Sequence, residues 1–449
     1  MATNGSVLSV TAPVVERDVT RPASLEDQFS YASGQTHHRS KLGALNIDAS
    51  MPAVGGDPAD PKGSWWTSYL RGARPRPNLP VGGTLRTVDL FCGPGGLANG
   101  VGQLMRELGA DVVPELVVDQ DVEATRVYAA NHRARRTSSV SVASLVDYSL
   151  RRSSSRTRFA YPPELLDERL ARALSGAHLV LAGPPCQGHS NLNNHTRRED
   201  PRNALYLTVP AVAVAIGAPV CVIENVPAVL NDSDRVVALA ERLFSEEGYH
   251  VESAVISAAD LGWPQTRKRH FLVARRDAAP LPLSDVVTAL GDDPRSLWWA
   301  IGDLEDHASD DPMDLHPSLN DDNRQRIDWL FDNDAFDLRS DQRPLSHRDG
   351  TTYTAVYGRL HRDRPAPTIT TGFMTPGRGR YVHPTRRRVL TAREAARLQG
   401  FPDTYEFAVD DGRDPARNKL AKWIGDAVPM PLGYAASVSA FGAGPLPWV

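Results

Sequence analysis

Hydrophobic and polar positions along the chain fall into distinct regimes. Residues 1–83 are polar and rich in Pro, Gly and Ser, with almost no periodicity. Only Ser64-Trp65-Trp66 and Tyr69-Leu70 break the pattern, so this stretch reads as a flexible N-terminal extension. From residue 84 to 275, short β-favouring runs alternate with helical ones. Strands are predicted at Thr87–Phe91, Glu115–Asp119, His178–Ala182, Val220–Glu224 and 250–256. Between them the pattern predicts helices at Leu97–Leu108, Val122–Asn131, near Pro163–Leu174, at 202–217 and at 232–247. That alternation implies an α/β fold with a doubly wound, mostly parallel sheet and helices on both faces. Ligands of such sheets bind in the loops at the carboxyl ends of the strands.

Residues 276–385 break the alternation. They predict a small, partly β lobe with one helix near Asp322–Phe331 and short β segments with glycine turns over 351–385. Residues 386–449 then return to the α/β domain of residues 84–275. Thr391, with Glu394 three residues on, is a capping box that starts a helix running to Gln399.

Composition narrows the class. Of 449 residues, 41% are hydrophobic and 23% charged, and no apolar run is long enough to span a bilayer. With no secretory pattern and only Cys92, Cys186 and Cys221, the expectation is a cytoplasmic monomer without disulfides or metal. The net charge of −4 does not announce a nucleic-acid binder. Charge is uneven, however. Asp303, Glu305, Asp306, Asp310, Asp311, Asp314, Asp321 and Asp322 make an acidic stretch that should repel phosphates. Arg359, Arg362, Arg364, Arg378, Arg380 and Arg386-Arg387-Arg388, interleaved with Thr368–Thr371, are the candidate surface for an anionic partner, which is DNA if the resemblance described below holds. The basic segments His132–Arg136 and Arg151–Arg158 are equally explained as backbone contacts or as surface loops.

Four short blocks carry chemistry. Asp89-Leu90-Phe91-Cys92-Gly93-Pro94-Gly95-Gly96-Leu97 is a glycine-rich strand-to-helix turn that lets a ligand approach backbone and helix N-terminus. Asp119, ending the next strand, sits where a carboxylate accepts ribose hydroxyls, so the two suggest an adenosine-containing cofactor. Gly183-Pro184-Pro185-Cys186-Gln187-Gly188 holds a cysteine among turn formers, whereas Cys221 lies in an apolar run and reads as core. Glu224 ends a very apolar strand, in Ile223-Glu224-Asn225-Val226-Pro227, where burial should raise its pKa. In Gln265-Thr266-Arg267-Lys268-Arg269, strand alternation would aim Arg267 and Arg269 to one face. Taken alone, that last block is more often a solvated edge strand.

In this order the blocks resemble the DNA cytosine-C5 methyltransferase family. Arg388–Pro402 is similar to the family's late helix, and Ile424-Gly425-Asp426-Ala427-Val428-Pro429 to its closing motif, so the resemblance spans residues 85–435. It implies a Rossmann-like methyltransferase domain that uses S-adenosyl-L-methionine to methylate C5 of a cytosine flipped out of duplex DNA. It further implies Cys186 as the nucleophile at C6 and Glu224 as the acid at N3. Arg269 would hold the O2 side of the base, and Arg267 the cysteine loop or a phosphate. Cofactor contacts are expected from Asp89, Phe91, Gly93, Gly95, Gly96, Leu97, Asp119, Gln120, Ser144, Pro184, Asp426 and Val428. Substrate contacts are expected from Gln187, Ser190, Asn225, Gln265, Thr370 and Arg378. Restriction or phage-defence partner proteins fit the resemblance.

The chain departs from the family pattern at His189, Gln120, Ser144 and Asp426, where Phe, an apolar residue, Asp and Asn are usual. These departures bear on cofactor affinity more than on the Cys–Glu–Arg chemistry. Three rival readings are methylation of RNA, methylation of a free cytidine derivative, and a catalytically silent nucleic-acid binder.

Overall fold

The computed structural model describes residues 25–152, 157–185, 205–307, 309–348, 355–409 and 412–449. Its centre is a seven-stranded sheet. In sequence the chain first lays down β1 (Leu25–Ala32), β2 (Gln35–Leu42), β3 (Leu45–Pro52) and β4 (Arg76–Pro77), which form a separate antiparallel sheet with helix α1 (Pro61–Leu70) between β3 and β4. The central strands follow as β5 (Thr84–Leu90), β6 (Asp111–Val118) and β7 (Thr137–Ser138). Four short strands, β8 (Val146–Asp147), β9 (Leu150–Arg152), β10 (Thr157–Phe159) and β11 (Glu164–Leu165), make two small antiparallel pairs. The central sheet is completed by β12 (Leu179–Ala182), β13 (Val220–Asn225), β14 (His250–Ser257) and β15 (Lys268–Arg275).

The spatial order is β14-β15-β13-β12-β5-β6-β7. The run from β13 to β7 is parallel, and only β15 is reversed, pairing antiparallel with both β13 and β14. From β5 the chain builds outward through β6 and β7, then returns to the other side of β5 with β12. The switch point therefore lies between β5 and β12, and their carboxyl ends open the crevice where such sheets bind ligands. The glycine turn and the Pro-Pro loop leave from these two strands.

One face of the sheet packs on α2 (Gly96–Leu108), α3 (Val122–His132) and the C-terminal helix Met430–Phe441. The other packs on α4 (Glu168–Leu174), α5 (Leu205–Ala215) and α6 (Val236–Glu246). Central strands such as Leu179–Ala182 and Val220–Asn225 are buried along their whole length, as expected of parallel strands covered on both faces. Helix α7 (Leu283–Leu290) belongs with the catalytic domain, packing on β14 and the C-terminal helix. Next come α8 (Leu297–Ile301) and α9 (Asp321–Asp332). A small second core (Ile327, Leu330, Leu338, Val356, Tyr357 and Val382) marks the lobe. Among the described residues of 355–385 the expected β segments are reduced to isolated bridges such as Arg359 with Val382. The last helices are α10 (Ala392–Leu398), with its Thr391 capping box formed, α11 (Arg417–Asp426) and α12 (Met430–Phe441).

The expectation of a flexible extension before residue 84 fails for residues 25–83. Strand β2 does alternate, but its inward positions are Thr36, His38, Ser40 and Leu42, so hydrophobicity alone does not reveal the period. What holds these polar groups inside is a buried charged network. His38 lies between Asp27 (Nε2–Oδ1 2.7 Å) and Glu107 of α2 (Nδ1–Oε2 3.1 Å). Glu107 also accepts from Gln103, Trp65 and Tyr434 of α12, while Lys62 and Ser40 donate to Asp27. Burial alone would depress the His38 pKa, but Glu107 and Asp27 more than offset it and hold it near 9. Burial would likewise raise Asp27, yet His38 and Lys62 bring it down to about 2. The imidazolium thus rivets the meander to two helices of the catalytic domain.

The sign of the linkage follows. A raised histidine pKa contributes stability in full below the unfolded value of 6.5, and loses it as pH climbs through the folded value near 9. The loss is on the order of 3 kcal/mol. The melting temperature should therefore fall from pH 6.5 to 9, and His38→Gln should flatten that fall. Identical slopes in both proteins would count against the rivet.

Candidate active site

At the end of β5 the backbone takes three left-handed residues in five: Phe91 (φ 57°), Gly93 (φ 50°) and Gly95 (φ 100°). For Phe91 this is a strained conformation, of the kind concentrated at ligand sites. Open space faces Gly93, with nothing within 4 Å of where a Cβ would stand. Gly96, by contrast, begins α2 in contact with the closing motif: a Cβ there would meet Val428 N and O at 3.0 Å. The predicted glycine turn and the residues Ala427-Val428, over 300 positions apart in the chain, are therefore neighbours. Leu97 and Val428 are both buried at this junction.

Asp119, at the end of β6, accepts from Gly93 N–H through Oδ2 (2.9 Å) and from Asp121 N–H through Oδ1 (2.9 Å). The two bonds fix a part-exposed carboxylate beside the open turn, and each oxygen keeps a further lone pair for a hydroxyl. Gln120 and Ser144 are exposed near strand ends, with Ser144 Oγ donating to Ser141 O (2.7 Å). Asp426 is exposed and paired to Lys422 (2.6 Å). Asp89 departs from the expected role. Its carboxyl is 2% exposed, points into the sheet face and hydrogen-bonds Tyr128, so only its backbone borders the turn. Burial pushes its pKa up to about 8.

At the neighbouring strand ends, β13 brings Glu224 to the crevice. Arg269 Nε pairs with Glu224 Oε1 at 2.8 Å. Burial raises the Glu224 pKa, and the two arginines Arg269 and Arg267 oppose it without cancelling it. The carboxyl thus keeps a proton more readily than a solvated glutamate. Asn225 turns away from the crevice; its Nδ2 donates to Pro184 O (3.3 Å), anchoring the Pro-Pro loop to the end of β13. It was expected to touch substrate, and instead it holds the loop that leads into Cys186. Cys186 itself lies outside the described residues, as do Gln187, His189 and Ser190.

Arg267 and Gln265 are also buried. Arg267 Nη1 donates to Ile369 O (2.6 Å) and Gly425 O (2.9 Å), and Nη2 to Asp426 O (3.3 Å). Gln265 is fully buried and donates to Leu398 O (2.8 Å). Neither reaches a base or phosphate from there. Instead they clamp the lobe and the closing motif against the start of β15, and Arg267 adds positive potential near Glu224. Thr370 shares a 2.8 Å hydrogen bond with Tyr381.

The chain matches the family model for C-5 cytosine-specific DNA methylase over residues 85–439. It belongs to that family. It is 35% identical over 372 residues to the Type II methyltransferase M1.BsuMI of Bacillus subtilis (strain 168), covering 82% of this chain and 83% of that one. Against the Type II methylase M.HgiDII of Herpetosiphon aurantiacus it is 30% identical, covering 77% of this chain and 92% of the relative. A DNA modification methyltransferase encoded within an E. coli prophage shares the fold, with a TM-score of 0.51, 21% identity, and coverage of 79% and 98%. As a C-5 cytosine methylase the chain acts on cytosine in DNA. Among the described residues, no helix is long and apolar enough to cross a membrane.

The methylase's charge distribution differs from the sequence expectation in one respect. Both the acidic stretch and the arginine stretch are largely neutralised by ion pairs within the fold, though mostly with other neighbours than each other. Arg386 pairs with Asp306, Arg387 with Asp328 and Asp332, and Arg380 with Asp337. Arg393 pairs with Asp311 and Asp314, Arg397 with Asp303, and Arg359 with Asp334. Arg388 is spent on Glu394. Most of the predicted DNA-facing cations therefore cement the lobe, and the acids they neutralise do not form a repelling face. Arg378 stays exposed, and among the described residues it has no ion pair.

Proposed function

We propose that this methylase transfers the methyl group of S-adenosyl-L-methionine to C5 of a cytosine flipped out of duplex DNA, with Cys186 as the nucleophile. The observation that carries the reading is the Glu224–Arg269 pair at the end of β13, next to the Pro184 loop that Asn225 anchors two residues before Cys186. Unassisted, C5 of cytosine is too electron-poor to take a methyl group. Addition of the Cys186 thiolate at C6 forms the S–C6 bond and moves the C5–C6 π electrons onto the ring, while Glu224 delivers its proton to N3 so that no anion accumulates. When the base enters, Arg269 turns to the O2 side of the ring. After C5 has gained its methyl group, loss of the C5 proton to a base such as water reforms the double bond and expels Cys186, and N3 returns its proton to Glu224.

The cofactor supplies an electrophilic methyl carbon. Residues that would hold it are the Phe91–Leu97 turn, Asp119 for the ribose, Gln120 and Ser144 at the adenine end, and Pro184, Asp426 and Val428. The open space at Gly93 and the oriented Asp119 carboxylate fit an adenosine ligand. Arg378 and Thr370 would face the DNA from the lobe. The Type II naming of the relatives supports a cytoplasmic modification enzyme paired with a restriction or defence partner.

The test is transfer of radiolabelled methyl groups, offered in parallel to duplex DNA, tRNA and CMP. Label should enter duplex DNA alone; label entering tRNA or CMP and not DNA would move the substrate, and label entering none would favour a silent binder.

A further inference from the structure

A pair of cavities runs along α2 behind the glycine turn, from Ala98 and Asn99 to Arg106. Arg106 is ten residues beyond Gly96 on this helix, so about 15 Å along its axis. Its side chain folds back over Gly102, where a Cβ would stand 3.6 Å from Nη2. There the guanidinium borders two adjoining chambers. One, of about 50 Å³, is walled by the meander at Tyr69–Arg74, by α2 and α3, and by Pro402–Tyr405. The other, of about 190 Å³, runs between α2, α3 and the sheet from Thr87 to Pro114. A single water needs only ~10–15 Å³ on this measure, so the larger chamber takes a phosphate-sized group with waters to spare.

The polar lining is unbalanced. Arg74 opens onto the smaller chamber and Arg133 onto the larger, with Arg106 common to both. Asp111 is the one carboxylate among the described lining residues, and it pairs with none of the three arginines. Among the described residues Arg106 makes a single hydrogen bond, a long 3.5 Å contact to Gln103 Oε1. Elsewhere among the described residues, partly buried arginines meet carboxylates or carbonyls, as Arg267, Arg275 and Arg397 do. Thr87 Oγ1, in the same chamber, is buried without a hydrogen-bond partner among the described residues. The other titratable neighbour, His132, is neutral, because burial and the nearby Arg106 depress its pKa. Among the described residues no carboxylate hydrogen-bonds Arg106, and its charged neighbour Glu107 is already engaged by His38 and Tyr434; a half-buried cation so placed is costly unless something anionic joins it.

We infer that these chambers bind a phosphate-type oxyanion, held by Arg106 with Arg74 and Arg133 at the mouths and Thr87 as an inner donor. Its arginines stand away from the strand ends where the methylation residues gather, while His132 and Tyr405 of the smaller chamber back onto Gly95 of the glycine turn; the site rests on nothing assumed about that chemistry. It sits where the meander, α2, α3 and the C-terminal region meet, so its ligand would tie four segments of chain together.

The test uses the full chain in a chloride buffer. Inorganic phosphate, AMP and a short DNA duplex are each titrated at constant ionic strength, at concentrations too low for general salting effects. Phosphate or AMP should raise the melting temperature saturably by several degrees. Arg106→Gln should abolish that rise, while melting in chloride alone at or above the wild-type temperature, since an unpaired cation has been removed. Arg74→Gln should weaken the response and serves where the first variant folds poorly. No saturable shift in the wild type, an undiminished shift in both variants, or a response to duplex alone would each overturn the site.

Discussion

Cys186→Ala is expected to abolish methyl transfer to DNA, and with it any covalent protein–DNA complex, while binding of S-adenosyl-L-methionine stays close to wild type. The asymmetry follows from where the parts sit. The glycine turn, Asp119 and Val428 are supplied by β5, β6 and the closing motif, and none of them depends on the thiol. The proposed nucleophile follows β12, and neither of the other two cysteines can replace it. Cys92 and Cys221 are both buried, and burial raises both thiol pKa values, which keeps them as unreactive thiols. The measurement is paired: cofactor affinity by calorimetry and trapping of denaturation-stable DNA adducts. Adducts persisting in the variant would remove Cys186 from the reaction.

The second large effect is expected from Glu224→Gln. The amide has the shape of the acid and can still accept from Arg269, so the fold and DNA affinity should survive. It can hydrogen-bond N3 but cannot give it a proton, so the loss falls on the step that builds charge on the ring. Single-turnover rates should drop by about 10²–10⁴, the usual worth of a positioned acid, with KM little changed. Since burial raises the Glu224 pKa, the wild-type rate should also fall toward high pH as that proton is lost, and the glutamine variant should lack this limb. A variant that turns over at the native rate would leave Arg269 and the sulfur without their acid.

Much of the catalytic half is visible in the sequence because its blocks are turn residues at strand ends, and local chemistry dictates local shape there. The capping box at Thr391 is another such case. What stayed hidden is what depends on distant partners. Asn225 and Gln265 look like cleft residues until their amides are found on Pro184 O and Leu398 O. The charges of the lobe mislead for the same reason: Asp306 and Arg386 stand 80 positions apart, and only the fold cancels them. In the meander, the alternation of β2 is carried by Thr36, His38 and Ser40, which no hydrophobic scale marks as interior.

The rivet at His38 bears on where this enzyme can be cut. Family likeness begins at residue 85, which invites a boundary there. Such a truncation would strip Glu107 of its imidazolium and its indole donor, and would strand a carboxylate against Tyr434 in the seam between α2 and α12. The portion matched by the family model is therefore not a free-standing piece: its two most central helices were shaped to be finished by a segment that lies before that match.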